Sequence, residues 1–288
     1  MTQLRVLQIL QTVLLTLSVT TAALAQTGQI DVSDDVIAAQ NATLAAAAAG
    51  AGFGPQSPRD LNLAAGSNPV DFGEAPDVSR MNLCNIHFHH GAEHRGGEFT
   101  QYAGNGDGHG YGTGYLYTGT LTDAELAPVD YKIGTEKYST LRPGDTIEIH
   151  YVHTTARIDP GPTLNSCLDE AIGNPQLSVV GFVYVLVNDD SAADFKELNE
   201  VVLVDGLHHA VNMPQNLGDP TRYHGSSTGP TFNEAGSPFQ VSWSVYPRVL
   251  KVSTSSVAAW LSANEFDEDH GHGVRNLVTN PDLLAPIN

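Results

Sequence analysis

Two short segments, Asn85-Ile86-His87-Phe88-His89 and Ile147-Glu148-Ile149-His150-Tyr151-Val152-His153, constrain this chain more than anything else in it. Each alternates apolar with polar residues, which is the period of a strand carrying one apolar and one polar face. Side chains at i and i+2 of a strand share a face. His87 and His89 therefore converge on one side of their strand, and His150 joins them only if its own strand lies alongside. Three neutral imidazoles leave the fourth tetrahedral position of Zn²⁺ open, the pattern of a catalytic site and not of a structural one. A His-x-His pair is ordinary by chance in a chain with 12 histidines, so the flanks carry the argument. Asn85 and Glu148 each stand two residues before a proposed ligand, where an oxygen can take the second N–H of a metal-bound imidazole.

Around these segments strand signals dominate. Thr146 to His153 alternates after the turn Arg142-Pro143-Gly144-Asp145, and Leu177 to Val187 is almost continuously apolar. Glu200 to Val204 and Phe239 to Val245 are β-rich, and glycine-rich turns such as Gly104 to Gly114 separate the strands. Helical signal is confined to short pieces, Ser191 to Leu198 and Ser255 to Ala263. The expectation is a mostly β single domain with a large, mainly antiparallel central sheet and short peripheral helices. This domain is placed at residues 76–288, behind an Ala/Gly-rich, helix-capable and loosely tethered extension at residues 26–75.

Residues 1–25 read as a secretory signal peptide: Arg5, an apolar run from Val6 to Val19, then Ala23-Leu24-Ala25. The run is too short and too polar to span a membrane, so the mature protein is expected to be exported, periplasmic or secreted. Two cysteines, Cys84 and Cys167, fit that setting and are expected to pair. Closing so long a loop stabilises by roughly 4 kcal/mol in the chain-entropy model. Cys84, three residues before His87, is expected to face away from the ligands and tether their strand. The formal net charge of −19 argues against nucleic acid and anionic membranes as partners.

Five segments in a fixed order resemble the carbonic anhydrases, the delta class most closely. They are Cys84-Asn85-Ile86-His87-Phe88-His89 with Ala92-Glu93-His94 behind it; Glu148-Ile149-His150-Tyr151-Val152-His153; Leu177-Ser178-Val179-Val180-Gly181; Tyr223-His224-Gly225-Ser226-Ser227-Thr228-Gly229-Pro230; and Val241-Ser242-Trp243-Ser244-Val245. The alpha class shows a similar order, and the tail Gly273-Val274-Arg275-Asn276-Leu277-Val278 also resembles the delta class. The resemblance implies an alpha-carbonic-anhydrase-like fold and reversible hydration of CO₂ to bicarbonate and a proton by a zinc-bound hydroxide. Carried over by position, His87, His89 and His150 would hold zinc, with Asn85 and Glu148 behind them. Thr228 would accept a hydrogen bond from the hydroxide and donate to Glu93, while Val152, Val179, Val241 and Trp243 would wall the CO₂ pocket. Zinc lowers the pKa of bound water to about 7, and a threonine that must donate to a carboxylate can only accept from the hydroxide.

The sequence departs from the alpha class in places. Glu93 follows His89 by four residues, a shorter spacing, and Ser227 and Gly229 stand beside Thr228 where the alpha class has leucine and threonine. For the proton shuttle the rim candidates are His90, His94, His153 and His224, and His270-Gly271-His272 reads as a loop. Two rival functions follow from other features. A cupredoxin-type copper protein is suggested by His87-Phe88-His89-His90-Gly91, but the cysteine and methionine ligands of a blue-copper site are not in place. An exported, non-catalytic zinc-binding protein on the same scaffold is the other, since fold does not fix function.

Overall fold

The computed structural model describes residues 31–138, 140–228 and 233–287; residues 1–25, assigned above to a signal peptide, and Gly229-Pro230 lie outside them. In chain order the strands are β1 (Pro55–Ser57), β2 (Asn82–His90), β3 (Phe99–Asn105), β4 (Thr113–Tyr117), β5 (Thr146–Thr154) and β6 (Leu177–Val187). They continue with β7 (Val201–Val204), β8 (Leu207–Ala210), β9 (Thr221–Thr228) and β10 (Gly236–Ser253). The α-helices are α1 (Asp34–Ala48), α2 (Phe195–Leu198) and α3 (Thr254–Ser262).

Six strands form one sheet in the order β1-β9-β10-β6-β5-β2, and two hairpins, β3-β4 and β7-β8, stand outside it. The fold is mostly β, and the sheet is mixed. The pairings β9-β10, β6-β5 and β5-β2 are antiparallel, while β1-β9 and β10-β6 are parallel. The expected antiparallel character holds for the half that carries the histidines. The parallel pair was not readable because β6 is apolar at nearly every position and buried along its whole length, and such a strand carries no signal of direction.

Strand β5 shows how the sheet divides the interior. Ile147, Ile149 and Tyr151 pack with Phe182, Tyr184 and Leu186 of β6 under Phe195 of α2 and Val257 and Trp260 of α3. Val152, on the opposite face, packs with Val179, Val241 and Trp243. Glu148 and His150 share that second face by the two-residue period, so helices cover one side of the sheet and the histidines occupy the other. Both faces being filled, all nine residues of β5 are buried.

Residues in the segment read as an extension take part in this body. β1 runs parallel to β9, and Arg59 is fully buried, donating to the carbonyls of Leu63 (2.8 Å) and Ala285 (3.0 Å) with its guanidinium over the Tyr223 ring. Helix α1 rests Leu44 and Ala48 on Val278, Leu283 and Leu284. The glycine-rich stretch Gly104 to Gly114 forms the turn between β3 and β4, its glycines at positive φ, and the two strands pair on either side of it as a hairpin. No helix among the described residues is long and apolar enough to cross a membrane.

Candidate metal centre

The antiparallel register of β2 and β5 sets His87 opposite His150 and His89 opposite Glu148. One ring nitrogen from each of His87, His89 and His150 lies within 4.8 Å of the others, with Nε2 of His87 3.3 Å from Nδ1 of His150. A cation held by all three would draw its ligands from two adjacent strands of a buried sheet, whose spacing of about 4.8 Å suits such a site.

Hydrogen bonds at the far side of each ring decide which nitrogen keeps a lone pair. His89 Nδ1 lies 2.9 Å from the carbonyl oxygen of Gly273, which can only accept, so Nδ1 carries the proton and Nε2 is left as the donor atom. Asn85 directs its amide N–H₂ to the carbonyl of Gly161 (3.0 Å), which turns its oxygen to His87 Nδ1 at 2.6 Å and likewise frees Nε2. His150 is reversed: its Nε2–H points at the Glu148 carboxylate, 2.9 Å away, and Nδ1 faces the other ligands. The three lone pairs thus converge as two Nε2 and one Nδ1. Burial, reinforced by the neighbouring imidazoles, holds the pKa of His87 well below the ordinary histidine value. Burial likewise pushes His89 down to about 3. Both rings are therefore neutral at pH 7, the form that binds metal.

Glu148 is fully buried and accepts three N–H bonds, from His150 Nε2, from His94 Nδ1 at 2.5 Å and from the His94 backbone at 3.0 Å. Burial opposes its charge, but His94 and His150 outweigh that and keep its pKa well below the usual carboxylate range. A second grouping of His94, Glu148 and His150 is equally close; its ligand atoms are already committed to each other, so it supports the first site and does not compete with it. His94 Nε2 continues to the Tyr223 hydroxyl at 2.5 Å, and the Tyr223 ring stacks on Trp243.

Gly181 of β6, opposite His150, makes room for this network. A Cβ there would sit 3.5 Å from Glu148 Oε1, 3.5 Å from Val245 and 3.7 Å from His150. Val152, Val179, Val241 and Trp243 fall in one buried cluster, and the Trp243 ring is 5.2 Å from that of His150. This apolar cluster adjoins the candidate metal centre on its Trp243 side.

Glu93 and Thr228 are arranged differently from the expected direct contact. Glu93 Oε1 accepts the Arg275 backbone N–H (2.9 Å) and lies 3.4 Å from His89 Nδ1. Thr228 Oγ1 is buried and has no hydrogen-bond partner among the described residues. Arg275 links the two, donating through its guanidinium to the Thr228 carbonyl (3.0 Å) and Ser227 Oγ (3.3 Å). A buried hydroxyl with no partner is costly, and among the described residues this one has its donor and acceptor capacity unspent.

The histidines named as rim candidates fall elsewhere. His94 is buried within the Glu148 network, and His153, buried with its pKa pushed down to about 4, faces the Tyr151 carbonyl. His224 pairs with Ser242 and His90 with Asp145. The ring that reaches the ligands from outside is His272, with its centroid 5.5 Å from His87 and 5.9 Å from His89. Its backbone pairs with that of Phe88 and His90, so the loop lies along the free edge of β2. No side-chain pattern announces this placement, because it comes from a backbone pairing; Gly273 and Arg275 escaped for the same reason.

The expected disulfide joins Cys84 to Cys167. Cys84 does not face away from the ligands, however. The pairing of β2 with β5 skips a residue between Leu83 and Asn85, and this bulge turns Cys84 to the histidine face, where it packs with Val152 and Trp243.

Comparison with known proteins bears on what such a site does. No curated protein matches this sequence. Solved structures similar to it include the alpha-carbonic anhydrase of Photobacterium profundum, at 15% identity, covering 81% of this chain and 88% of that one with a TM-score of 0.28. The alpha-carbonic anhydrase of Thermovibrio ammonificans, in complex with sulfanilamide, is similar at 15% identity over 77% and 84% of the two chains, with a TM-score of 0.25. A hyperthermostable carbonic anhydrase from an active hydrothermal vent chimney gives 16% over 78% and 85%, with a TM-score of 0.28. The family described as Delta carbonic anhydrase matches residues 78–256, more than half of the chain and all of the strands that carry the histidines. On that match this protein belongs to the delta carbonic anhydrase family, enzymes that act on a small-molecule substrate.

Proposed function

We propose that this protein catalyses the reversible hydration of CO₂ to bicarbonate and a proton at a zinc ion held by His87, His89 and His150. The observation that carries the reading is the convergence of three ring nitrogens, each with an acceptor on the far side of its ring that fixes the tautomer. Three imidazoles with no thiolate suit Zn²⁺ with a position left for solvent, and both cysteines are spent in the disulfide. Zinc in such a site supplies Lewis acidity that brings the pKa of water from 15.7 to about 7.

The chain's own groups do the rest. Glu148, anchored by His94, holds the proton on His150 Nε2 and so keeps Nδ1 available. Thr228, whose hydroxyl has no partner among the described residues, would orient a solvent oxygen by accepting a hydrogen bond from it, with Glu93 and Arg275 fixing the surrounding backbone. Val152, Val179, Val241 and Trp243 offer an apolar wall that favours neutral CO₂ over charged bicarbonate. The leader at residues 1–25 and the disulfide suit export to the periplasm or outside. The test is metal content against activity: wild type should purify with one zinc per chain, and His150→Ala should lose both the zinc and the turnover. An unchanged rate in His150→Ala would overturn the assignment.

A further inference from the structure

We propose that the Cys84–Cys167 disulfide positions the metal centre, acting on His87 through the Gly161 carbonyl and the Asn85 amide, and so sets how tightly zinc is held. The proposal rests on the metal-site reading above. Its geometry begins at the bulge that turns Cys84 to the histidine face, beside Asn85, which already lies on it. The stretch 155–167 carries one short 3₁₀ helix, Leu164–Cys167, and folds back beside β2. Four hydrogen bonds tie it there. The Gly161 N–H donates to the Cys84 carbonyl at 3.1 Å, and Asn85 Nδ2 to the Gly161 carbonyl at 3.0 Å. Asn82 Nδ2 donates to the Ile158 carbonyl at 2.8 Å, and Thr154 Oγ1 to the Cys167 carbonyl at 2.8 Å. The disulfide is the covalent member of this set and joins the end of the loop to the residue next to Asn85.

Asn85 makes the tie consequential. A side-chain amide presents an acceptor on one side and donors on the other. The Gly161 carbonyl accepts only, so it fixes the N–H₂ end toward the loop and the oxygen toward His87 Nδ1. With the loop released, the amide is free to rotate by half a turn and offer N–H₂ to Nδ1. The imidazole proton then moves to Nε2, the atom whose lone pair faces the metal. Outer partners of this kind change metal affinity by about 10- to 100-fold.

The test follows zinc loss from the zinc-loaded protein to an excess of chromophoric chelator, with near-UV circular dichroism reporting the fold. A dithiol reductant passes two electrons and two protons to the cystine, giving two cysteine thiols and the reagent's own cyclic disulfide. Reduction is expected to speed zinc loss from wild type by about 10-fold. Asn85→Ala with the disulfide intact should do the same, and reducing Asn85→Ala should add little. Should reduction unfold the chain, Asn82→Ala cuts a neighbouring tie to the same loop and leaves the disulfide in place. It is expected to speed zinc loss several-fold in wild type and not at all in the Asn85→Ala background. Equal effects in the two backgrounds, or zinc held tightly whatever the state of the disulfide, would overturn the positioning role alone. A protein that retains no zinc even when oxidised would overturn the metal site itself and this inference with it.

Discussion

Replacing Glu148 by glutamine exchanges one carboxylate oxygen for an N–H₂ group and should undo the donor arrangement of His150. The carboxylate accepts three N–H bonds, two from His94 and one from His150. A glutamine has one acceptor oxygen and two donors; the His94 backbone N–H can only donate, so it holds the amide oxygen at the Oε2 position and the N–H₂ takes the Oε1 position that His94 Nδ1 and His150 Nε2 share. The His150 ring must then accept at Nε2 and carry its proton on Nδ1, the nitrogen 3.3 Å from His87. That position then has no lone pair for a metal. Loss of a carboxylate behind a ligating histidine costs about 10- to 100-fold in metal affinity, or roughly 1.4 to 2.7 kcal/mol. Competition titration against a chelator of known zinc affinity measures this directly, and Glu148→Asp, which keeps both acceptor oxygens on a shorter arm, is expected to fall between. Wild-type zinc affinity in a folded Glu148→Gln protein would refute the tautomer argument.

Other consequences are read more simply. Thr228→Ala should slow turnover and leave zinc bound, since among the described residues no hydrogen bond joins the Thr228 hydroxyl to His87, His89 or His150; loss of the metal would show that its role is misassigned. Gly181→Ala should be tolerated because the new Cβ meets only ordinary contacts of 3.5 to 3.7 Å, whereas Gly181→Val drives methyl groups into Glu148 and His150 and should reduce both zinc content and melting temperature. Burial lowers His153 to about 4, so as pH falls below 6.5 the unfolded chain takes up a proton that the folded chain refuses. Its stabilising contribution is therefore full above pH 6.5 and is lost progressively toward pH 4, by roughly 3 kcal/mol in all. Urea unfolding across that range should show this slope, and a slope unchanged in His153→Gln would contradict it.

The candidate metal centre was legible because a strand has a two-residue period. His87, His89, His150, Asn85 and Glu148 all follow from i and i+2 positions on two strands, and the structure brings them together. Cys84 was misplaced by that same rule, because a bulge adds one residue and reverses the faces beyond it. Contacts made by backbone atoms left no trace in the sequence: the Gly273 carbonyl on His89, the His272 loop along β2 and the Arg275 N–H on Glu93. Strand order had the same fate. A continuously apolar β6 announces a buried strand, but its parallel partner β10 is chosen by the packing of the whole sheet. His94 was recognised as a histidine of interest for a role at the rim; its burial against Glu148 makes it instead the anchor of the carboxylate.

The central claim is that zinc on these three histidines hydrates CO₂. Stopped-flow CO₂ hydration by the purified protein tests it, comparing the zinc-loaded form, the chelator-stripped form and the stripped form after zinc is restored. The account predicts turnover far above the buffer rate that disappears on stripping and returns with about one zinc per chain. Turnover that persists in the stripped, folded protein, or no turnover with one zinc tightly bound, would contradict it.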